Sequence, residues 1–263
     1  MSVLVRREKH ADGGHLVRLT IDHVGKLNSL NRALMAEIIE AAAGLAADPQ
    51  LRLVVVTGAG ERAFIGGADI GEIAALDRDS ARSFITAVHY CCDAFRRLPV
   101  PVIARIDGWT LGAGLEIACS CDIRIASERS KFGMPEVRIG IPSVVEAALL
   151  PRLIGSGRAR RLLLTGETIG AAEALAWGLI DVMAPPEGLD DAVGRLAGSI
   201  LAAGPQAVRL QKSLILEWEE LPAGAAIARG IDCFVRAFDT DEPARMAGGR
   251  LAELRSRRRS PQK

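Results

Sequence analysis

Residues 51–57 read LRLVVVT, an apolar run closed by Gly58-Ala59-Gly60. A strand of this composition has no polar face to give to water, so both of its faces must be covered. That demand points to an α/β domain built on a sheet. Residues 102–106, VIARI, supply a second buried strand, and helical patterns lie ahead of it. Leu34, Ile38, Ile39, Ala42 and Leu45 recur at helical spacing, with Asn28 or Ser29 as the candidate cap and Asp48-Pro49 as the stop. A long amphipathic helix is expected from Ser80 through Leu98, ended by Pro99 and Pro101.

Shorter signals complete the pattern. Residues 3–5 and 15–21, separated by Ala11-Asp12-Gly13-Gly14, predict an N-terminal hairpin. Further strands are expected over 121–126, 131–133 and 179–183, and helices over 158–164, 171–177, 189–203, 205–216 and 223–238. The early α/β alternation and the late run of helices divide the chain into a core over residues 1–200 and a helical segment over 201–263.

Charge narrows the function classes. With 33 basic against 32 acidic residues, a net charge of +1, the chain offers no general surface for nucleic acid or membrane. Its local exception is the end, where Arg250, Arg255, Arg257, Arg258, Arg259 and Lys263 face a single acid, Glu253. That end reads equally as a solvated tail or as a holder of phosphates. Cys91, Cys92, Cys119, Cys121 and Cys233 form no CxxC pair and no metal-ligand spacing with histidine, as expected of reduced cysteines in a cytoplasmic protein. No secretory signal and no membrane span are expected either.

Residues 107–127, DGWTLGAGLEIACSCDIRIAS, carry the first chemical signal. They predict a glycine-bearing turn over 108–114 feeding a helix over 115–119, with Glu116 in its first turn. Free amides at a helix start, together with the helix dipole, can hold a negatively charged oxygen. Alone, Glu116 reads as a favourable dipole partner. Two other stretches change that reading. ERAFIGGADIGEI sets Gly66 and Gly67 before Ala68-Asp69-Ile70, and FGMPEVRIGIP leaves Glu136 in a loop, free to point into a cavity. Beyond it, Ser143-Val144-Val145-Glu146 matches a capping box in which Ser143 and Glu146 satisfy each other's amides.

Together and in this order, these stretches resemble the enoyl-CoA hydratase/isomerase (crotonase) superfamily, and most closely an enoyl-CoA hydratase. The resemblance runs from KLNSLN to the lysine-bearing segment at Lys212. It implies an α/β fold with a ββα-repeat spiral core and a C-terminal helical segment for trimerisation and active-site closure. It implies a lyase of lipid metabolism that adds water syn to a 2-enoyl-CoA. No cofactor is expected, coenzyme A being part of the substrate. A homotrimer or homohexamer is implied, with neither membrane nor nucleic acid as a partner.

Residue by residue, the resemblance makes the Ala68 and Ala113 amides an oxyanion hole for the thioester carbonyl. Glu116 becomes the base that activates water, and Glu136 the donor of the α-proton. A carboxyl serving as an acid near neutral pH needs a raised pKa, which burial can supply. Coenzyme A is expected against Lys26, Leu27 and Ser29, the loop of Ala68, Asp69, Ile70 and Gly71, the turn at Gly112, and Phe238. Arg62 and the terminal arginines are expected near its phosphates. Trp109, Ile139 and Ile141 are candidate pocket walls.

The sequence departs from the family pattern in three places. Ala113 stands where glycine is common, and Gly71 where lysine is frequent. Pro142–Ala148 replaces a PGxGGTQ stretch with SVVEAA after the proline, which narrows whatever acyl space that helix start lines. An isomerase, decarboxylase or retro-aldol enzyme of the same fold is the nearest alternative. A non-catalytic acyl-CoA- or RNA-binding member is the other, suggested by the RSRRRS tail.

Overall fold

The computed structural model describes residues 1–11 and 13–259, with side chains through Arg255. Asp12 of the first turn and the side chains of Arg257, Arg258, Arg259 and Lys263 therefore lie outside the described residues. Two compact units divide the chain, Met1–Ala197 and Gly198–Lys263.

The first unit is built on ten strands: β1 (Ser2–Lys9), β2 (His15–Asp22), β3 (Leu51–Gly58), β4 (Ala63–Ile65), β5 (Val102–Ile106), β6 (Trp109–Leu111), β7 (Ile123–Ser127), β8 (Lys131–Gly133), β9 (Thr168–Gly170) and β10 (Val182–Ala184). Six of them form a sheet in the order β1-β2-β3-β5-β7-β10, antiparallel only between β1 and β2. A smaller sheet, β4-β6-β8-β9, stands beside it. Three times in succession a long-sheet strand is followed at once by a short-sheet strand (β3 and β4, β5 and β6, β7 and β8), with helical turns before the next step. This is the ββα spiral.

Helices cover the sheets. They are α1 (Arg32–Ala46), α2 (Ile70–Ala74), α3 (Arg78–Arg96), α4 (Ala113–Ser120), α5 (Leu150–Ile154), α6 (Ser156–Thr165) and α7 (Ala171–Trp177). Inside β3, Leu51, Leu53, Val54, Val55 and Val56 are buried, as its composition requires. The core joins Leu51, Val54 and Val56 to Leu34, Met35 and Ile38 of α1 and to Phe84, Val88 and Phe95 of α3. Side chains start the helices. The Asn31 carboxamide accepts from the Leu34 N–H, and Asp77 forms a capping box with Ser80, so α3 begins two residues before Ser80.

Asn28 is not the cap expected from its position before α1. It is buried at φ +56°, accepting from the His23 N–H and donating to the Ala59 and Ala63 carbonyls. It thereby pins the turn between β3 and β4.

Helix α8 (Leu189–Leu201) carries the boundary between the units. The second unit holds α9 (Pro205–Glu220), α10 (Ala223–Ala237) and α11 (Glu242–Arg259). Residues up to Arg259 thus belong to a helix, exposed over residues 244–255. Among the described residues no helix is long and apolar enough to cross a membrane. Cys91, Cys92, Cys119 and Cys121 are free and buried, and Cys233 is free and half-buried.

Candidate active site

Two loops from different strand pairs meet at one place. The β4–α2 loop carries Gly66-Gly67-Ala68, and the β6–α4 junction carries Gly112-Ala113. Gly67 lies at φ +109° and Gly112 at φ +50°, where side chains are strained. A β-carbon on Gly67 would stand 3.3 Å from the Leu111 carbonyl oxygen, and one on Gly112 would stand 4.0 Å from the Gly67 α-carbon. The glycines therefore allow the two backbones to touch.

That approach brings Ala68 and Ala113 onto one cavity. Leu30 and Ala68 form an isolated parallel bridge whose bonds run from the Leu30 N–H to the Gly67 carbonyl and from the Asp69 N–H to the Leu30 carbonyl, each 2.8 Å. The bridge thus leaves the Ala68 N–H uncommitted. Ala113 is the first residue of α4, where no helical carbonyl exists to receive its N–H. Its φ is not positive, so the methyl that distinguishes it from glycine brings no backbone strain.

Ala68, Ile70, Gly112, Ala113, Glu116 and Glu136 all line a single cavity of about 1190 Å³. Ile139, Ile141 and Val144 line it too, whereas Val145 packs against the core. A further wall comes from Leu76 and from Phe84, Ile85 and Val88 of α3, and Asp77, Arg78, Asp79, Arg82 and Arg138 line the cavity too. The sequence reading missed that wall, although the apolar face of α3 was its signal.

Glu116 is buried in the first turn of α4, and its Oε1 accepts the Ala147 N–H at 3.1 Å. Burial, then the charge of Glu136, pushes its carboxyl up to about 8. The Ala147 amide works the other way by favouring the charged form.

Glu136 opens a 3₁₀ turn, Glu136–Ile139, rather than sitting in an irregular loop. The Ser143 hydroxyl donates to its Oε2 at 2.7 Å. Its Oε1 fills the space beside Gly112, 2.2 Å from where a β-carbon there would stand.

The capping box expected of Ser143 and Glu146 does not form. The turn that follows, Val145–Leu149, is 3₁₀ with no side-chain cap, and Val145 lies at φ +39°, far from a helix start. Ser143 is freed to reach Glu136. Buried Glu146 instead meets His89 of α3, whose Nδ1 lies 2.7 Å from its Oε1. Glu146 sits beside Ala147, so this pair anchors the backbone that holds Glu116. The thiol of Cys92 is pushed well up by burial and by the charges of Glu146 and Glu116, and it stays neutral.

The remaining site candidates divide by place. Lys26, Leu27 and Ser29 lie on the segment laced to the Ala68 loop. The Gly66 N–H donates to the Leu27 carbonyl at 2.8 Å, and the Lys26 ammonium lies 2.6 Å from Asp69 Oδ2. The Lys26 side chain holds the Asp69 carboxyl below the usual range, and Asp69 in turn accepts the Gly71 and Glu72 amides to cap α2. Arg62 is exposed, with its carbonyl accepting the Trp109 N–H at 3.0 Å. Trp109 stands outside the cavity lining at 41% exposure. It is Leu111, at the other end of β6, that lines the cavity. Phe238 belongs to the second unit, just past α10, and is exposed.

Two uncommitted amides and two carboxyls around one apolar cavity can hold an oxyanion while protons move on and off the adjoining carbons. Comparison with known proteins meets this geometry. The family model described as Enoyl-CoA hydratase/isomerase matches residues 13–254. A crotonyl-CoA hydratase of Syntrophomonas wolfei is 37% identical over 228 residues, covering 86% of this chain and 88% of that protein. An (E)-benzylidenesuccinyl-CoA hydratase of Thauera aromatica is 35% identical over 214 residues, covering 79% and 81%. Among solved structures, an enoyl-CoA hydratase from Bacillus anthracis superposes with a TM-score of 0.88 at 31% identity, covering 100% of this chain and 98% of its own.

Proposed function

The chain belongs to the enoyl-CoA hydratase/isomerase family, and from that membership we propose a hydro-lyase that adds water to a 2-enoyl-CoA thioester, giving the 3-hydroxyacyl-CoA. The observation that carries the reading is the presence of both Glu116 and Glu136 on the cavity that Ala68 and Ala113 also line. An isomerisation that shuttles one proton needs a single carboxylate, whereas hydration has work for two.

Two carboxyls on one cavity resist carrying two charges, and burial with the charge of Glu136 favours the proton on Glu116 in the resting site. Charged Glu116 takes a proton from water as the oxygen attacks the β-carbon. Glu136, protonated by prior transfer from Glu116, delivers that proton to the α-carbon, and the proton that Glu116 takes from water returns the pair to its resting form. Between attack and protonation the negative charge rests on the thioester oxygen. There the Ala68 and Ala113 amides stabilise it, at roughly 3 kcal/mol for each donor of such a hole.

Coenzyme A is the handle of the substrate, and no separate cofactor is required. Lys26, Leu27, Ser29 and the loop of Ala68, Asp69, Ile70 and Gly71 form one laced segment suited to its pantetheine and phosphates. Oligomerisation is part of the proposal. Ile227, Ile231, Phe234 and Phe238 expose one apolar face along α10 and its end, which supports a homotrimer or homohexamer.

The test is hydration of a series of 2-enoyl-CoA thioesters, from crotonyl to aromatic, followed by loss of the conjugated thioester absorbance. Glu116→Gln and Glu136→Gln each lower kcat by about 10²–10⁴-fold with thioester binding retained. Wild-type rates in both variants would overturn the proposal.

A further inference from the structure

We propose that Ser143 is the positioning residue for the α-proton donor: its hydroxyl fixes the Glu136 carboxyl so that Oε1, and not Oε2, delivers the proton. The inference rests on the hydratase reading above and on the role of Glu136 within it.

The two oxygens of Glu136 have unlike surroundings. Oε2 accepts the Ser143 hydroxyl at 2.7 Å. Oε1 lies in the gap beside Gly112, the residue that precedes Ala113 in the chain. An oxygen that accepts a hydrogen bond from a hydroxyl is the carbonyl-like oxygen of a protonated carboxyl. The proton is thereby directed to Oε1, the oxygen beside Gly112 and so one residue from the Ala113 amide proposed to hold the thioester oxygen. An enolate held by that amide presents its α-carbon to the same side, so the acid and its target share one wall.

Without this bond the carboxyl is poorly fixed. The terminal torsion of a glutamate is broad and roughly two-fold, so either oxygen can turn to the cavity. The backbone contributes closure: the Ile141 N–H donates to the Glu136 carbonyl at 3.2 Å, which folds residues 136–141 back and brings Ser143 alongside. Pro142 precedes Ser143, and the 3₁₀ turn beyond has no side-chain cap. Its hydroxyl therefore serves the carboxyl and not a helix end. The same place also explains Gly112. A side chain there would collide with Glu136 Oε1, so the glycine keeps the acid seated against the amide wall.

The experiment compares Ser143→Ala, Ser143→Gly and Ser143→Thr in crotonyl-CoA hydration. It reads kcat, KM and the deuterium placed at Cα of the product in D₂O by NMR. Loss of a hydrogen bond to a charged or charge-bearing group predicts a kcat lower by about 10- to 100-fold in the Ala and Gly variants. KM is expected to stay within about 2-fold, because the hydroxyl acts on proton delivery and not on coenzyme A. Ser143→Thr keeps the hydroxyl and restores kcat to within several-fold. In the Ala and Gly variants deuterium is expected on both faces of Cα, in place of the single face given by the wild type.

Wild-type kcat with single-face deuteration in both hydroxyl-free variants overturns the inference alone, as does a loss in Ser143→Thr equal to that in Ser143→Ala. A wild-type protein that hydrates no enoyl-CoA overturns the hydratase reading and this inference with it.

Discussion

Glu116 shows how one residue binds chemistry to stability. Its carboxyl is raised from 4.5 to about 8 by burial and then by the charge of Glu136. A folded-state pKa above the unfolded one means that the folded protein holds an extra proton between those values. The stability it contributes is complete below about pH 4.5 and is lost as pH rises through about 8. At about 1.4 kcal/mol per pH unit of that window, the loss reaches a few kcal/mol. Glutamine keeps the acceptor for the Ala147 amide and carries no charge. Glu116→Gln is therefore expected to unfold at higher denaturant than the wild type at pH 8, by roughly 1–3 kcal/mol, and to converge with it near pH 5. Denaturant titrations at pH 5, 6, 7 and 8 check this, and parallel curves for the two proteins would refute it. The site thus keeps a group that is costly to bury because the reaction uses it.

Elements differ in how far local sequence determines them. α3 and β3 carry long patterns, one helical and one uniformly apolar, and both form where those patterns place them. β4, β6 and β9 have three residues each, too few to show a period, and exist because neighbouring strands pair with them. The Ser143–Glu146 pattern matches a helix start in spacing, but a capping box needs helical backbone, and Val145 at φ +39° withholds it. The true partners, Glu136 and His89, stand across a loop and on another helix. No local reading reaches His89. Glu116, Glu136 and the glycine turns are legible only through resemblance to the family pattern, since each alone reads as ordinary structure, and the fold sets both carboxyls on one cavity. The α3 wall and the role of Ser143 depend on how the elements pack.

In the second unit a similar long-range contact starts a helix. Both oxygens of Glu242 accept first-turn amides of α9, from Gln206 at 3.1 Å and Ala207 at 2.8 Å. Gly204 leaves room for it, since a β-carbon there would stand 2.3 Å from Oε1. A carboxylate at a helix start satisfies free N–H groups and opposes the dipole. Glu242→Ala is expected to lose about 1–2 kcal/mol of stability in this unit. Faster hydrogen exchange at the Gln206 and Ala207 amides is the measurement, and unchanged protection would count against the cap.

At the scale of the molecule, the apolar residues left in water say most. Ile227, Ile231, Phe234 and Phe238 are each at least 60% exposed, and their spacing follows one helix face. Phe234 and Phe238 already meet edge to face, with ring centroids 5.3 Å apart. Monomers rarely leave so continuous an apolar stripe in water. Full burial of one such side chain is worth about 1.5–3 kcal/mol, so several together can offset the entropy of association. With a net charge of +1 the chain has little long-range repulsion to oppose assembly of like copies. In the proposed homotrimer or homohexamer the apolar stripe is the contact with a second copy, closed by rotational symmetry. Placing charge in its middle, as Ile231→Glu with Phe234→Glu, is expected to convert a trimer or hexamer into a monomer in sedimentation equilibrium. The far-UV spectrum stays helical, because both side chains point to solvent within the chain. A wild-type protein that sediments as a monomer at micromolar concentration, or a double variant that keeps the wild-type mass, removes α10 as the assembly face.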